Sequence, residues 1–350
     1  MKKDSVLKTN KLITMKNNLV FKEIYNKKEW ENHLLNLHTS DVYSSWIWGE
    51  YKQRVGWGIY RLSVWDKEQN SLMACFQLQK KIKFKLFTIL VIQGGIHLKT
   101  LSLNKHHQVL ESIMNKYVTG KNNVIIFINQ QSASSQNIDT GLLMCKFSPI
   151  LNSKSYTYIL DSNNNSLKGD ALSKNWRHNL KRALNNSKLT YHSVLKLEER
   201  KRAFGDLEVF YTNLRGRKKF KTAIDFTLSK DLIIENNDFR IIEARLENQV
   251  IAIRIGFFSK DYVLDFLAAS DELAKKTYAN YLLLYKLIEL THSEGKSYFD
   301  CGGINPSENM GVFNFKKGLG GRLNINGPIW LNASSPIIKK AVRLLFSFTN

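Results

Sequence analysis

The chain has 350 residues, 43% of them hydrophobic, and its 52 Lys and Arg against 30 Asp and Glu give a formal net charge of +22. That length exceeds what one hydrophobic core usually holds and that apolar content excludes a disordered chain, so two domains are expected. The positive excess points to a polyanionic partner, whether nucleic acid, a nucleotide diphosphate or an anionic membrane surface.

In chain order, residues 1–20 are basic and polar and read as a flexible N-terminus. Lys28 to His38 and Ser45 to Val55 carry apolar residues at helical spacing. Ile59–Trp65, Leu72–Leu78 and Leu86–Ile92 read as strands, the first two joined by a hairpin turn. A helix over Asn104–Tyr117 and a buried strand over Val124–Ile128 follow; Leu142–Phe147 leads toward another strand, and Tyr156–Leu160 completes the first half. The second half repeats this order. Helices are expected over Asn175–Leu184, Glu198–Leu214 and Thr227–Glu235. Strands are expected over Leu189–Val194, Phe239–Leu246, Val250–Phe257 and Tyr262–Leu267. A long helix over Tyr278–Ser293 ends at Gly295 and leads to a strand at Tyr298.

An antiparallel meander, a helix and a returning strand, occurring twice, is the order of two tandem N-acetyltransferase (GNAT)-like domains. The fold class is therefore α+β, each domain a mostly antiparallel mixed sheet flanked by helices, over residues 21–162 and 163–350. Cys75, Cys145 and Cys301 have no CxxC spacing and the eight histidines no HExxH pair, so no disulfide framework or metal site is expected. His106-His107 reads as a wet helix face. The most apolar run is far short of the ~20 residues that span a bilayer. A soluble, cytoplasmic chain follows, with at most peripheral contact at the inner face of the membrane. The basic, apolar run Ile337–Phe348 either packs on the second half or lies on that surface.

The densest stretch is Tyr298 to Arg322. A strand reaches Asp300, Cys301, Gly302 and Gly303; Phe313 and Phe315 then lead into Lys316 and Lys317, and Gly318, Gly320 and Gly321 follow. Paired glycines let the backbone turn sharply or pass close to another group. A cation held on an aromatic base beside such a turn suits the floor of a pocket.

Four segments resemble the Fem family of peptidoglycan bridge-forming aminoacyltransferases, which have tandem acetyltransferase-like domains. They are Ser45–Lys52, with Trp48 four positions before Lys52; the basic helix Lys174–Ala183; the long helix leading through Gly295 to Tyr298–Gly303; and Phe315–Gly320. The family's Pro-Gly-Pro-like turn is replaced by Gln93-Gly94-Gly95-Ile96, and no helical arm is visible. The resemblance implies transfer of an amino acid from aminoacyl-tRNA to an amine of a nucleotide- or lipid-linked cell-envelope precursor, with no bound cofactor. It implies Lys316 as the cation facing the donor carbonyl, Phe315 packed behind it, and Trp48 and Lys52 on the acceptor. The family's phosphate-binding arginine is replaced by lysine, with Lys219 and Lys221 the nearest candidates.

The residues themselves leave alternatives open. Asp300 is either a general base or the anchor of the Gly302-Gly303 turn; Asp265 is a second candidate carboxylate. Lys174, Arg177, Lys181 and Arg182 suit a phosphate backbone or form a solvated helix face, and Lys317 meets tRNA phosphate or solvent. Two other readings stand beside aminoacyl transfer. One is an acyl-CoA-dependent (acetyl-CoA) N-acyltransferase on an amino sugar or polysaccharide precursor, although the turn Ala274–Asn280 lacks the glycine of a pyrophosphate loop. The other is a non-catalytic nucleic-acid-binding protein.

Overall fold

The computed structural model describes residues 18–37, 41–83, 87–99, 102–118, 123–128, 136–150, 153–162, 171–218 and 224–347. Its first half runs β1 (Leu19–Glu23), α1 (Lys27–Asn36), a 3-10 turn (Val42–Ser44), α2 (Trp46–Arg54), β2 (Gly58–Asp66), β3 (Ser71–Lys83), β4 (Phe87–Gln93), β5 (His97–Leu98), α3 (Leu103–Tyr117), β6 (Asn123–Ile128), α4 (Gln136–Met144), β7 (Ser148–Ile150) and β8 (Ser155–Asp161). Then follow α5 (Lys174–Leu184), β9 (Leu189–Val194), α6 (Leu197–Lys218), α7 (Phe226–Ile234), β10 (Phe239–Leu246), β11 (Gln249–Phe258), β12 (Tyr262–Ser270), α8 (Glu272–Lys276), α9 (Ala279–Ser293), β13 (Tyr298–Ile304), α10 (Met310–Lys317), β14 (Arg322–Asn326), β15 (Ile329–Ala333) and α11 (Pro336–Ser347).

These strands form two sheets. One has the order β1-β2-β3-β4-β6-β15-β7, with β5 beside β3; the other has the order β14-β8-β13-β12-β11-β10-β9. Read from β1 and from β9, the two sequences of pairing match. Three antiparallel contacts come first, then one parallel contact (β4 with β6, β12 with β13), then two antiparallel ones. The duplication expected from element order is present as topology.

The sixth place in each sheet is filled from the other half of the chain. β8, expected to complete the first half, pairs with β13 and β14 in the second sheet, and β15 pairs with β6 and β7 in the first. The alternation of Tyr156 to Leu160 marks a strand but not its partner, so a cut at residue 162 does not separate the sheets. α11 enters directly from β15 and lays Ile338 and Val342 against Val91, Val124, Ile126 and Leu331 of the first sheet, not on the second half. Its Ile337 remains exposed.

Other departures have local causes. β1 begins at Leu19, paired with Asp66, inside the stretch read as a flexible end. Leu142 to Phe147 closes α4 and turns at Lys146, which has φ 63°, before the short β7. His106 is buried, its Nδ1 3.1 Å from the Ser102 carbonyl oxygen, because α3 lays that face on the sheet. Among the described residues no group of three His, Cys, Asp or Glu could hold a metal ion, and no helix is long and apolar enough to cross a membrane.

The two units meet along α2. Trp48 and Tyr51 share one apolar cluster with Phe226, Phe257, Leu264 and Leu267 of the second unit. Arg54 donates to the Leu228 carbonyl at 3.0 Å.

Candidate active site

The parallel pair at the centre of each sheet differs in one respect. β4 and β6 stay paired from Thr88–Asn123 to Gln93–Ile128, whereas β12 and β13 pair only from Tyr262–Tyr298 to Leu264–Asp300. Beyond Leu264 the strands splay. A cavity of about 640 Å³ lies beside the end of β12, lined by Arg254, Asp265 and Phe266, by Tyr278 and Tyr281, and by Phe315 and Lys316 among others. An open position in a sheet exposes the polar backbone edges of two strands to a ligand. The second unit therefore carries the candidate site.

Gly302 holds the splay in place. Its φ is +73°, in the left-handed region, and a Cβ on it would lie 2.9 Å from the Asp265 carbonyl oxygen. Only glycine combines that conformation with so close an approach. The turn is fastened by Asp300, whose Oδ1 accepts from Gly302 N at 2.7 Å and from Thr157 Oγ1, while Tyr262 donates to Oδ2 at 3.4 Å. Burial pushes the Asp300 carboxyl above its ordinary value; the bonds from Thr157 and Gly302 and the nearby Lys316 pull the other way. Both oxygens being engaged, the contacts are those of a turn anchor.

The aromatic segment is a helix. Asn309 caps α10 by accepting from Val312 N at 3.2 Å. Trp176 of α5 donates its indole N–H to the Phe315 carbonyl at 3.0 Å, and its ring centroid lies 5.9 Å from that of Phe315 and 5.0 Å from that of Tyr281. The C-terminal end of α10 is held against the start of α5 by Gly320, where a Cβ would lie 2.1 Å from the Ala171 carbonyl oxygen. On this mount Lys316 is half-buried, lines the cavity and donates from Nζ to the Gly303 carbonyl at 3.0 Å. Lys317 is exposed, its Nζ 5.7 Å from the Phe313 ring centroid.

The remaining sequence candidates fall elsewhere. Lys174, Arg177, Lys181 and Arg182 are all exposed on α5, opposite the buried Trp176, Leu180 and Ala183. Arg182 also donates to Tyr278 Oη, at the rim of the cavity. Trp48 is buried between the units and donates to Gln93 Oε1 at 3.1 Å. Lys52 lies over it, 4.8 Å from the ring centroid, and burial together with the nearby Lys81 lowers its pKa. Neither lines the cavity of the second unit. Lys219 and Lys221 lie outside the described residues.

Two features were missed by sequence reasoning. Arg254 of β11 donates to Asp265 Oδ2, both side chains 5% exposed, in the wall of the cavity. Only the pairing register, which slips between Ile255 and Gly256, brings them together. The second is a Ser-His-Asp cluster in the first unit. Ser44 Oγ donates to Asp41 Oδ2 at 2.8 Å and lies 2.6 Å from His97 Nε2. The serine bridges the other two groups and is 1% exposed, whereas in a nucleophilic triad the imidazole is central and the hydroxyl meets substrate. Asp41 also caps the 3-10 turn, accepting from Tyr43 N at 2.7 Å and Ser44 N at 3.0 Å. The cluster is structural.

No curated protein sequence matches the chain. Residues 174–317 match the model of the acetyltransferase (GNAT) domain. Among solved structures, the chain is similar to FemX, at 14% identity, covering 92% of this chain and 100% of that one with a TM-score of 0.77. It is also similar to the C-terminal domain of a putative lysylphosphatidylglycerol synthetase from Agrobacterium fabrum (11% identity, 92% and 95% covered, TM-score 0.57). A third is L-PGS from Bacillus licheniformis (15% identity, 91% and 96% covered, TM-score 0.56). The stretch from α5 to α10 thus matches an acetyltransferase (GNAT) domain, within a tandem GNAT-like fold similar to that of FemX.

Proposed function

We propose that the chain transfers an amino acid from aminoacyl-tRNA to an amine of a cell-envelope precursor of the peptidoglycan class. The observation that carries the reading is the placement of Lys316: an ammonium on a fixed helix end, at a pocket opened by splayed strands, beside the Gly302-Gly303 turn. The similarity in fold to FemX and to synthetases named for an aminoacylated lipid supports aminoacyl transfer onto a cell-envelope component.

The chemistry asks little else of the protein. A neutral acceptor amine attacks the ester carbonyl, its C–N bond forms, and the negative charge gathering on the carbonyl oxygen is met by the Lys316 ammonium. The C–O bond to the tRNA ribose then breaks, and the proton shed by the amine passes to that ribose oxygen. A preorganised donor at a developing oxyanion is worth about 10²- to 10³-fold in rate. Asp300 serves by holding the glycine turn, Phe315 and Trp176 by holding Lys316. The exposed cations of α5 bind tRNA phosphate, and Lys52 takes an acceptor phosphate.

The acyl-CoA reading is weaker because β12 connects to α9 through the five-residue α8, capped by Asp271, with no glycine to bring backbone N–H groups onto a pyrophosphate. The test is to incubate the pure protein with radiolabelled aminoacyl-tRNA or acetyl-CoA, together with muropeptides or amino-sugar nucleotides. Label is expected to pass from aminoacyl-tRNA into an amide of the acceptor. Consumption of acetyl-CoA alone overturns the reading.

A further inference from the structure

We propose that Asp265, held by Arg254 in the wall of the splayed pocket, accepts the positively charged α-amino group of the aminoacyl unit being transferred. The inference rests on the aminoacyl-transfer reading above and adds to it the feature by which the donor is recognised.

The pair is unfinished as a salt bridge. Arg254 Nη1 reaches Asp265 Oδ2, but Asp265 Oδ1 and Arg254 Nε, both buried, have no hydrogen-bond partner among the described residues. A planar guanidinium meeting a carboxylate as a fork would satisfy both oxygens; here one contact is made and one acceptor is left over. Buried polar atoms are nearly always paired, so an orphan in a pocket wall marks a place where a ligand completes the set. Arg254 takes one of the two carboxylate oxygens, and the acceptor left over belongs to a group whose chemistry suits an ammonium. The other carboxylate lining the cavity, Glu272, is occupied by Lys275 at 3.0 Å, and Asn280 donates to Ser270 at 3.0 Å.

The position relative to Lys316 fits the same ligand. The point a Cβ on Gly302 would occupy lies 2.9 Å from the Asp265 carbonyl oxygen and 3.5 Å from Lys316 Nζ. The Asp265 backbone and the Lys316 ammonium thus both border Gly302, and the two side chains belong to the lining of one cavity. In an α-aminoacyl ester the ammonium nitrogen and the carbonyl carbon are separated by a single carbon. An acetyl group offers no charge to Asp265 and would leave its oxygen orphaned. Holding the donor amine as an ammonium also keeps its lone pair from attacking a second ester, so the acceptor amine alone is the nucleophile.

The experiment measures binding by the full chain of non-hydrolysable tRNA 3′-end analogues, 3′-aminoacylamino-3′-deoxyadenosines carrying Gly, Ala, Ser or Lys, each with its α-amine free or acetylated. Coenzyme A is titrated in parallel. Wild type is expected to favour the free-amine form by about tenfold or more, the scale of a charge-assisted hydrogen bond. Asp265→Asn is expected to bring the two forms within about twofold of each other. Because Asp265→Asn strands the Arg254 charge, the neutral pair Arg254→Gln with Asp265→Asn is measured beside it, both checked by thermal melting. Retention of the preference in the folded double variant overturns the proposal. Equal binding of free and acetylated forms by wild type overturns it too, while leaving the donor reading intact. Binding of coenzyme A and of none of the analogues overturns both.

Discussion

The hydroxyl of Tyr51 in α2 accepts a hydrogen bond from the backbone N–H of Asp225 at 2.9 Å, joining the first unit to the residue that starts α7 in the second. Asp225 in turn caps α7, its Oδ1 accepting from Leu228 N at 3.0 Å. Tyr51→Phe keeps the ring in the shared apolar cluster and leaves that N–H without its partner. The expected cost is about 1–2 kcal/mol, read as a lower midpoint in urea with the slope unchanged. An unchanged midpoint would mean that the contact contributes nothing to holding the units together.

Lys316 separates chemistry from stability. Its side chain is half-buried and donates to the Gly303 carbonyl, so Lys316→Ala should shift the melting temperature little. The rate of acyl transfer should fall by about 10²- to 10³-fold, in kcat more than in KM, because the interaction is made with charge that appears during the reaction. A variant that raises KM at constant kcat would place the ammonium on the ground state instead.

The Asp41–Ser44–His97 cluster gives two pH effects of opposite sign. Burial pushes Asp41 up to about 6 and His97 down to about 4. For Asp41 the folded protein binds the proton more tightly than the unfolded chain, so its contribution to stability is full below pH ~4 and is lost as pH rises to about 6. For His97 the unfolded chain binds the proton more tightly, so its contribution is full above pH ~6.5 and is lost as pH falls to about 4. Each swing is worth about 3 kcal/mol, and in the wild type the two nearly cancel. Asp41→Asn should therefore expose an acid lability between pH 6.5 and 4, and His97→Gln a gain in stability over the same range. Denaturant midpoints against pH check both; parallel profiles would show that the cluster does not titrate.

The outer face of α5 makes a prediction about salt. Lys174 and Lys181 are exposed, so Lys174→Glu with Lys181→Glu should leave the fold intact. If both meet RNA phosphate, the slope of log affinity for tRNA against log salt concentration should fall by roughly 1.5. An unchanged slope would assign the helix face to solvent.

What could be read from the chain and what could not divides along physical lines. Helices such as α9 and the meander β10–β12 follow from periodicity and turn residues, which are local. The pairing of Phe315 with Lys316 could be singled out because an aromatic, a cation and a glycine run are adjacent in sequence. The register of β11 on β12, which brings Arg254 to Asp265 across a bulge, is set by tertiary packing and leaves no trace in spacing. Trp176 lay in a recognised basic helix, but its bond to the Phe315 carbonyl joins residues 139 apart. The partners of β8 and β15 were illegible for the same reason: alternation declares a strand and is silent about its neighbour.

That reciprocal lending of strands sets the order in which the protein can be finished on the ribosome. The first sheet lacks its sixth member until residues 329–333 have emerged, so β6 and β7 stay unbridged until then. The N-terminal half is then a partly open sheet with an exposed edge for most of synthesis. Docking of β15, rather than completion of the strands before it, is the event that closes the first sheet.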